Sequence, residues 1–342
     1  MNTVGAMGAV ERAMGKEPRV SVVVTTFNQA PFIASALESV FAQTRQADEV
    51  IVVDDGSTDE TPERIAPYRD RIVLLRQSNQ GVARSRNAGI QRAGGELLAF
   101  LDGDDLWDAE KLALQIAAAS AHPDSGLIAV DGVQFTDAGI MRQSLFPAQI
   151  ASLFVGDAES VSLDVSRQLL EENVIWTTSQ VMIPARVLKA VGLSDPEFPL
   201  VNDWDLYLRI AEQYPVTFLH RRLTRWRYHE RSASGPAFLR ELRWGEDSIR
   251  MLARHVRQVP GERRRVVRAA LRSRVFMTAE AAYNRTKPGQ RELGLSCLWR
   301  LLRWSGVSAA PAMFLLAAYS PAWLTRPLGR LARAALRVVR ST

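Results

Sequence analysis

Four short apolar runs, three of them leading into hydroxyl or carboxylate side chains, crowd into the first hundred residues and decide most of what the chain can fold into. They are residues 19–26 (RVSVVVTT), 48–54 (DEVIVVD), 71–76 (RIVLLR) and 96–101 (ELLAFL). Each reads as a strand, and the first two, β-branched and apolar throughout, as buried ones. The intervals have helical spacing. Ile33, Leu37, Val40 and Phe41 mark a helix over 31–43, and shorter signals mark 59–68 and 108–121. A further helix over 82–93 is closed by Gly94-Gly95. Strands alternating with helices predict βαβ units and an α/β fold, a Rossmann-like, mostly parallel central sheet flanked by helices.

The rhythm breaks after about residue 126. Strands are expected at 127–131 and 179–183, and helices at 185–191 and 204–213. From 237 the chain turns helical and Arg-rich, interrupted by Pro260-Gly261 and Pro288-Gly289. The expected organisation is a loose tail over 1–18, an α/β domain over 19–235 and a helical C-terminal region over 236–342. Residues 1–18 carry Glu11, Arg12, Lys16 and Glu17 and no long apolar run, so no secretory signal is expected there.

Composition narrows the classes further. Cys297 is the single cysteine, which rules out an intrachain disulfide framework and a thiolate metal cluster. The net charge of +6 conceals two regions of opposite sign. Residues 236–342 hold 21 Lys and Arg against 6 Asp and Glu, while the remainder holds 22 against 31. A basic tail on an acidic body calls for an anionic partner, a lipid surface or nucleic acid.

In open parallel sheets ligands bind beyond the carboxyl ends of the strands. Here the first strand ends in Thr25-Thr26-Phe27-Asn28, the second in Asp54-Asp55-Gly56-Ser57 and the fourth in Asp102-Gly103-Asp104-Asp105. Asp-Gly is ordinary turn chemistry and would explain any one of these. Five aspartates at one sheet edge ask for more, because close carboxylates resist ionisation without a counter-charge. A divalent Mn²⁺ or Mg²⁺ ion sharing its shell with a substrate diphosphate supplies one.

Four segments, in this order and spacing, carry a resemblance. They are Ser21–Asn28 (SVVVTTFN), Val52–Asp59 (VVDDGSTD), Asn79–Gly89 (NQGVARSRNAG) and Leu101–Trp107 (LDGDDLW), with Val201–Arg209 (VNDWDLYLR) further on. Together they resemble the inverting family-2 glycosyltransferases of bacterial polysaccharide and glycolipid synthesis, which have the GT-A fold. The resemblance covers about two thirds of the chain and fades after residue 235.

It implies a nucleotide-diphosphate sugar as donor and a glycan or lipid-linked glycan as acceptor. Thr25 and Phe27 would line the base and ribose pocket, and Asp55, with Asp54 beside it, would bind the base. Arg84 would sit near the donor phosphates or sugar. Asp102 would face the ribose or the metal, Asp104 would hold the metal, and Asp203 would be the catalytic base. His229 falls where such enzymes often place a histidine near the metal. Asn202 departs from the Glu-Asp pair common at this point of the family.

The chemistry needs such a set. Transfer of a sugar to a hydroxyl requires a base for the hydroxyl proton, and charge stabilisation for the departing diphosphate. Bland readings exist beside these. Asn202-Asp203 precedes an apolar-periodic run and could be a helix cap. Arg84 and Arg86 could be a solvated helix face. Trp107, Trp176 and Trp204 could be core or acceptor-stacking residues. His122, His220 and His255 have no evident constellation.

The alternatives lack their own signatures. A sugar-phosphate nucleotidyltransferase needs a Gly-rich basic loop after the first strand, whereas Phe27–Phe32 has neither Gly nor Lys/Arg. No Gly-x-Gly-x-x-Gly or Walker loop is present. A catalytically inactive homologue acting as a binding protein would have less reason to keep Asp55, Asp102, Asp104 and Asp203 together.

In the tail, Trp304–Leu324 is uncharged for 21 residues but contains Pro311 and Pro321. Arg326, Arg330, Arg333, Arg337 and Arg340 follow at helical spacing. This pattern suits a helix lying on anionic lipid better than a span. A cytoplasmic protein held peripherally at the inner face of the membrane is the expectation. Nucleic acid is not, because the acidic body and the absence of an RNA-binding motif argue against it.

Overall fold

The computed structural model describes residues 17–154, 159–229, 237–258, 263–284 and 295–301. Residues 304–342, with the uncharged stretch and the arginine stripe, lie outside them, as does most of the N-terminal tail. The strands are β1 (Val20–Thr26), β2 (Glu49–Asp54), β3 (Val73–Arg76), β4 (Leu97–Asp102), β5 (Leu106–Trp107), β6 (Leu127–Thr136), β7 (Gly139–Arg142), β8 (Ser160–Leu163), β9 (Val181–Pro184) and β10 (Val216–Arg227). The helices are α1 (Ile33–Phe41), α2 (Thr61–Ile65), α3 (Val82–Arg92), α4 (Lys111–Ala121), α5 (Ala148–Ala151), α6 (Ser166–Glu171), α7 (Ala185–Val191), α8 (Asn202–Ala211), α9 (Ala237–Gln258) and α10 (Arg263–Asn284).

All ten strands join one sheet, with the path β3-β2-β1-β4-β9-β6-β10-β5, and with β7 on β6 and β8 on β10. The half made of β3, β2, β1 and β4 is parallel, as the strand–helix alternation requires. The other half is mixed. β9 runs antiparallel to both β4 and β6, and β10 is parallel to β6 but antiparallel to β5 and β8. The fold is GT-A-like α/β with helices on both faces.

The apolar runs are continuous because both faces of the sheet are covered. Val23, Leu98 and Phe100 point into one core, shared with Trp204 and Leu208 of α8. Val22, Val24, Ala99 and Leu101 point into the other, against Ile33, Leu37 and Val40 of α1. The first core also contains Met251 and Leu252 of α9 and Val267 of α10, so the C-terminal helices pack on the body near α8.

β1 lies between β2 and β4, so the chain leaves β1 toward one edge and later returns to β1's other side. This reversal opens a crevice at the carboxyl ends of β1 and β4. Register sets what faces it. Thr25 is opposite Asp102, and Thr26 is opposite Asp54.

The strand β10 has no counterpart in the sequence reading. Its segment VTFLHRRLTRWR is rich in arginine, and register shifts between Leu219 and Arg222 and between Arg222 and Thr224 break the alternation. A bulged strand does not show period two. The expected helix at 204–213 begins two residues earlier, and the one at 59–68 divides into α2 and a 3-10 turn over Ala66–Arg71.

Candidate active site

The crevice is a cavity of about 490 Å³. Thr25, Thr26 and Phe27 border it at the end of β1, Asp55 after β2, and Asp102, Asp104 and Asp105 after β4. Arg86 and Asp203 reach it from α3 and α8.

The loops that present these groups are held by backbone geometry and local hydrogen bonds. Gly56 has φ +79°, and a Cβ there would stand 2.8 Å from the Asn79 amide nitrogen, so only glycine fits. Asn28, at φ 52°, accepts the Thr58 N–H at 2.8 Å through Oδ1, and its own N–H donates to Ser57 Oγ. Gly103 lets the Asp102–Asp105 turn close on β1, since a Cβ would stand 3.0 Å from the Thr26 side chain at the end of that strand.

The expected aspartates have different surroundings. Asp54 is buried and is not part of the cavity wall. It accepts the Ser57 N–H at 2.9 Å and pairs with Arg76 at 3.3 Å. Asp55 does border the cavity, but its carboxylate is engaged by the protein. It accepts from Gln77 Nε2 at 2.7 Å and from the Gln80 and Gly81 backbone N–H groups at 2.9 and 2.8 Å. It thereby fixes the turn that leads into α3.

Asp102 Oδ1 lies 3.2 Å from Arg86 and accepts a long hydrogen bond from Thr25 Oγ1 at 3.3 Å. Burial pushes its carboxyl above the usual range, opposed by Arg86 and assisted by Asp104. Asp104 Oδ2 is 3.0 Å from His229 Nε2, and the His229 ring also lies 4.7 Å from that of Phe32. Asp105 turns inward, accepting from Ser179 Oγ at 2.6 Å, Thr177 Oγ1 at 3.1 Å and the Arg227 N–H at 2.8 Å. Burial, followed by the charges of Asp104 and Asp102, drives its carboxyl well above the ordinary range. It joins β10 to the loop before β9.

Of the two arginines of α3, the resemblance gave a part at the donor to Arg84 alone. Arg84 is exposed and is not part of the cavity wall. Arg86 is buried, and its guanidinium bridges Asp102 and Asn202, the latter at 2.9 Å. The helical period explains this. Ala83, Ser85, Arg86 and Gly89 form the inner face of α3, and Arg84 falls on the other side. Asn202, an apparent departure from the Glu-Asp pair, accepts from Arg86 next to Asp203.

Asp203 sits in the first turn of α8. The cap position is Val201, without a side-chain cap, so Asn202 and Asp203 do not perform that role. Burial raises the Asp203 carboxyl to about 6, with Arg86 opposing and Asp102 adding to the rise. Phe27, 41% exposed, stands at the rim beside Asn79. Thr26 Oγ1 and Gln29 Oε1, both on cavity-lining residues, have no hydrogen-bond partner among the described residues.

Five of the described tryptophans fall into two groups. Trp107 and Trp204 are core residues, each indole donating to a backbone carbonyl. Trp176, Trp226 and Trp244 border the cavity. His255 has a constellation that sequence spacing hid, with Asp205 Oδ1 at 3.3 Å and Glu212 Oε1 at 3.5 Å.

Comparison with known proteins bears on the family and the fold. Residues 21–163 match the family described as glycosyl transferase family 2. They form a family-2 glycosyltransferase domain. An uncharacterized glycosyltransferase of Rickettsia typhi is 29% identical over 223 residues, 64% of this chain and 67% of the relative. One from a Nostoc species is 41% identical over 98 residues, 28% of this chain and 30% of the relative. Among solved structures, S. aureus TarS 1–349 in complex with UDP-GlcNAc superposes with a TM-score of 0.64 at 20% identity, over 92% of this chain and 87% of that one. The mannosyltransferase PcManGT from Pyrobaculum calidifontis, in complex with GDP-Man and Mn²⁺, superposes with a TM-score of 0.55 at 19% identity, over 97% and 93%. Likeness at this identity establishes the GT-A fold alone.

Proposed function

We propose that the chain transfers a sugar from a nucleotide-diphosphate sugar to an acceptor hydroxyl, by single displacement with inversion and with Asp203 as general base. The observation that carries this reading is the meeting, in one cavity, of a carboxylate raised to about 6 and a separate Asp102–Asp104 pair, with buried Arg86 bridging Asp102 and the residue beside the base. The solved structures bound to UDP-GlcNAc and to GDP-Man support a donor of this class.

Asp203 takes the acceptor proton as the hydroxyl oxygen forms its bond to the anomeric carbon. The bond from that carbon to the diphosphate oxygen breaks, and its electron pair leaves with the nucleoside diphosphate. A pKa near 6 leaves the base ionised at neutral pH yet basic enough to share the proton in the transition state. Arg86 favours the charged form of Asp102 at the leaving-group end, against burial, while Asn202 accepts from its guanidinium. A single displacement needs one base and no second carboxylate as nucleophile, and it inverts the anomeric centre.

The residues suit a hard divalent cation. Among the described residues no three His, Cys, Asp or Glu side chains converge as a self-sufficient metal cage. Asp104 and His229 offer one oxygen and one nitrogen donor 3.0 Å apart, and Mn²⁺ or Mg²⁺ commonly completes such a set with water and substrate phosphate oxygens. Such an ion would neutralise the charge growing on the departing diphosphate. Association with a lipid-linked acceptor at a membrane surface belongs to the same reading, supported by the basic C-terminal region. No helix among the described residues is long and apolar enough to cross a membrane.

The test is calorimetric titration of the full chain with UDP, GDP and dTDP, each with and without Mn²⁺. One nucleotide binds in a metal-dependent way, and Asp104→Ala removes the metal dependence. Binding of none of them by the folded chain would contradict the donor assignment.

A further inference from the structure

Asp203 is lightly held for a group that must point at a reacting hydroxyl. Its Oδ1 accepts the N–H of the next residue, Trp204, at 2.8 Å, and its Oδ2 has no hydrogen bond among the described residues. Helical geometry shows where a second contact can come from. Residues four apart share a face, and a long side chain leans back over the turn N-terminal to its own Cα. On α8 the residue four after Asp203 is Tyr207, whose ring therefore runs back toward the carboxylate.

Tyr207 is fully buried, in the core it shares with Leu98 and Phe100 of β4. It lies behind the cavity wall, whereas Asp203 is part of that wall. Its Oη has no hydrogen-bond partner among the described residues. Thr178, in the turn before β9, stands near the phenol without the geometry of a bond. Phenylalanine would fill the same space without burying a hydroxyl, so the oxygen is a cost that packing does not explain. Burial first, and then the charge of Asp203, push the phenol well above its ordinary value of 10.0. Arg86 from α3 opposes this, and Asp102 from β4 adds to it. The phenol therefore keeps its proton and can serve as a donor. A buried donor without an acceptor and a carboxylate oxygen without a donor lie one helical turn apart.

We propose that Tyr207 is a positioning residue for the base, its phenol donating to the Asp203 carboxylate directly or through one water. The inference rests on the reading of Asp203 as base. A donated bond from behind fixes the direction of the carboxylate, and small errors of direction are costly in a transfer step. It also favours the charged form of the carboxyl. It thus works with Arg86, against burial and the charge of Asp102. Tyr207 neither gains nor loses a proton in the transfer; it orients the group that does.

The test follows the Asp203 carboxyl itself, without substrate. The full chain is isotope-labelled at the aspartate Cγ and tyrosine Cζ carbons, and magnetic resonance spectra are recorded from acid to alkaline pH. The Asp203 resonance is the one missing from Asp203→Asn. Its midpoint, about 6 in the wild type, rises by about half a pH unit or more in Tyr207→Phe. In the wild type one tyrosine resonance moves with that midpoint and stays still in Asp203→Asn, a result that does not depend on Tyr207→Phe folding. The kcat profile of Tyr207→Phe moves upward in pH with the carboxyl, while nucleotide affinity stays the same. An unchanged Asp203 midpoint in folded Tyr207→Phe, or no tyrosine resonance moving with it in the wild type, would overturn the role. Coupled carboxyl and phenol resonances beside a kcat profile that does not titrate would uphold the bond and overturn the reading of Asp203 as base.

Discussion

Arg86 ties the end of β4 to the start of α8, its guanidinium donating to Asp102 and to Asn202 from the inner face of α3. Its motif, Asn79–Gly89, located the right helix at the right strand end, yet the choice between Arg84 and Arg86 depends on which face of α3 is inward. That face is set by packing against β1 and β2, where Gly89 comes so close that a Cβ would stand 2.3 Å from Val23. Replacing Arg86 with leucine would leave Asp102 without its cation at a largely buried position. A loss of about 3 kcal/mol is expected, read as a shift in the urea midpoint at constant slope. An exposed-face change, Arg84→Leu, is expected to stay within about 0.5 kcal/mol.

Asp203 belongs at the same scale. A base must be ionised to accept a proton, so transfer should rise as pH passes upward through about 6 and level off above it. A kcat profile flat from pH 5 to 8 would mean that another group takes the proton. The sequence alone could not separate this role from helix capping. The structure removes the capping reading by placing the cap at Val201.

At the scale of elements, α8 is fixed from both sides, by Arg86 at its start and by α9 along its length. Asp205, fully buried, accepts from Arg209 Nε at 2.9 Å and Arg254 at 2.7 Å, with His255 beside it. Arg254 also pairs with Asp195. Burial alone would lower the His255 pKa, but Asp205 and Glu212 outweigh it, and the net shift is upward from 6.5. A raised histidine stabilises the fold fully below its unfolded value and loses that contribution as pH climbs through the folded value. Thermal stability of the wild type should therefore fall from pH 6 toward pH 8 more steeply than that of His255→Gln, measured by calorimetry in matched salt. Equal slopes would show that the histidine is not protonated in this node. The node joins residues about 50 apart in sequence, so no local pattern could announce it. β10 escaped for a different reason, since its arginines and bulges masked a strand that is internal to the sheet.

For the whole molecule, the parallel half of the sheet and its polar carboxyl edge were legible because every strand obeys one local rule. The mixed half was not, because β9 inserts between β4 and β6 through long-range pairing. The charge division at residue 236 is real in composition, yet α9 and α10 share apolar core with α8, so a compositional boundary need not be a packing boundary. Exposed arginines 265, 268 and 272 on α10 continue the basic character of the tail. The full chain should bind vesicles containing anionic phosphatidylglycerol and release them as salt rises, and should ignore neutral phosphatidylcholine vesicles. Equal binding to both would remove the electrostatic argument for a membrane address.

The central claim is that Asp203 takes the acceptor proton while the donor is held elsewhere in the cavity. Asp203→Asn tests it most directly, with nucleotide affinity and donor turnover measured on the same preparation. The account predicts unchanged nucleotide binding and a fall in kcat of about 10²- to 10⁴-fold. Turnover and nucleotide affinity falling together, or turnover unchanged, would contradict it.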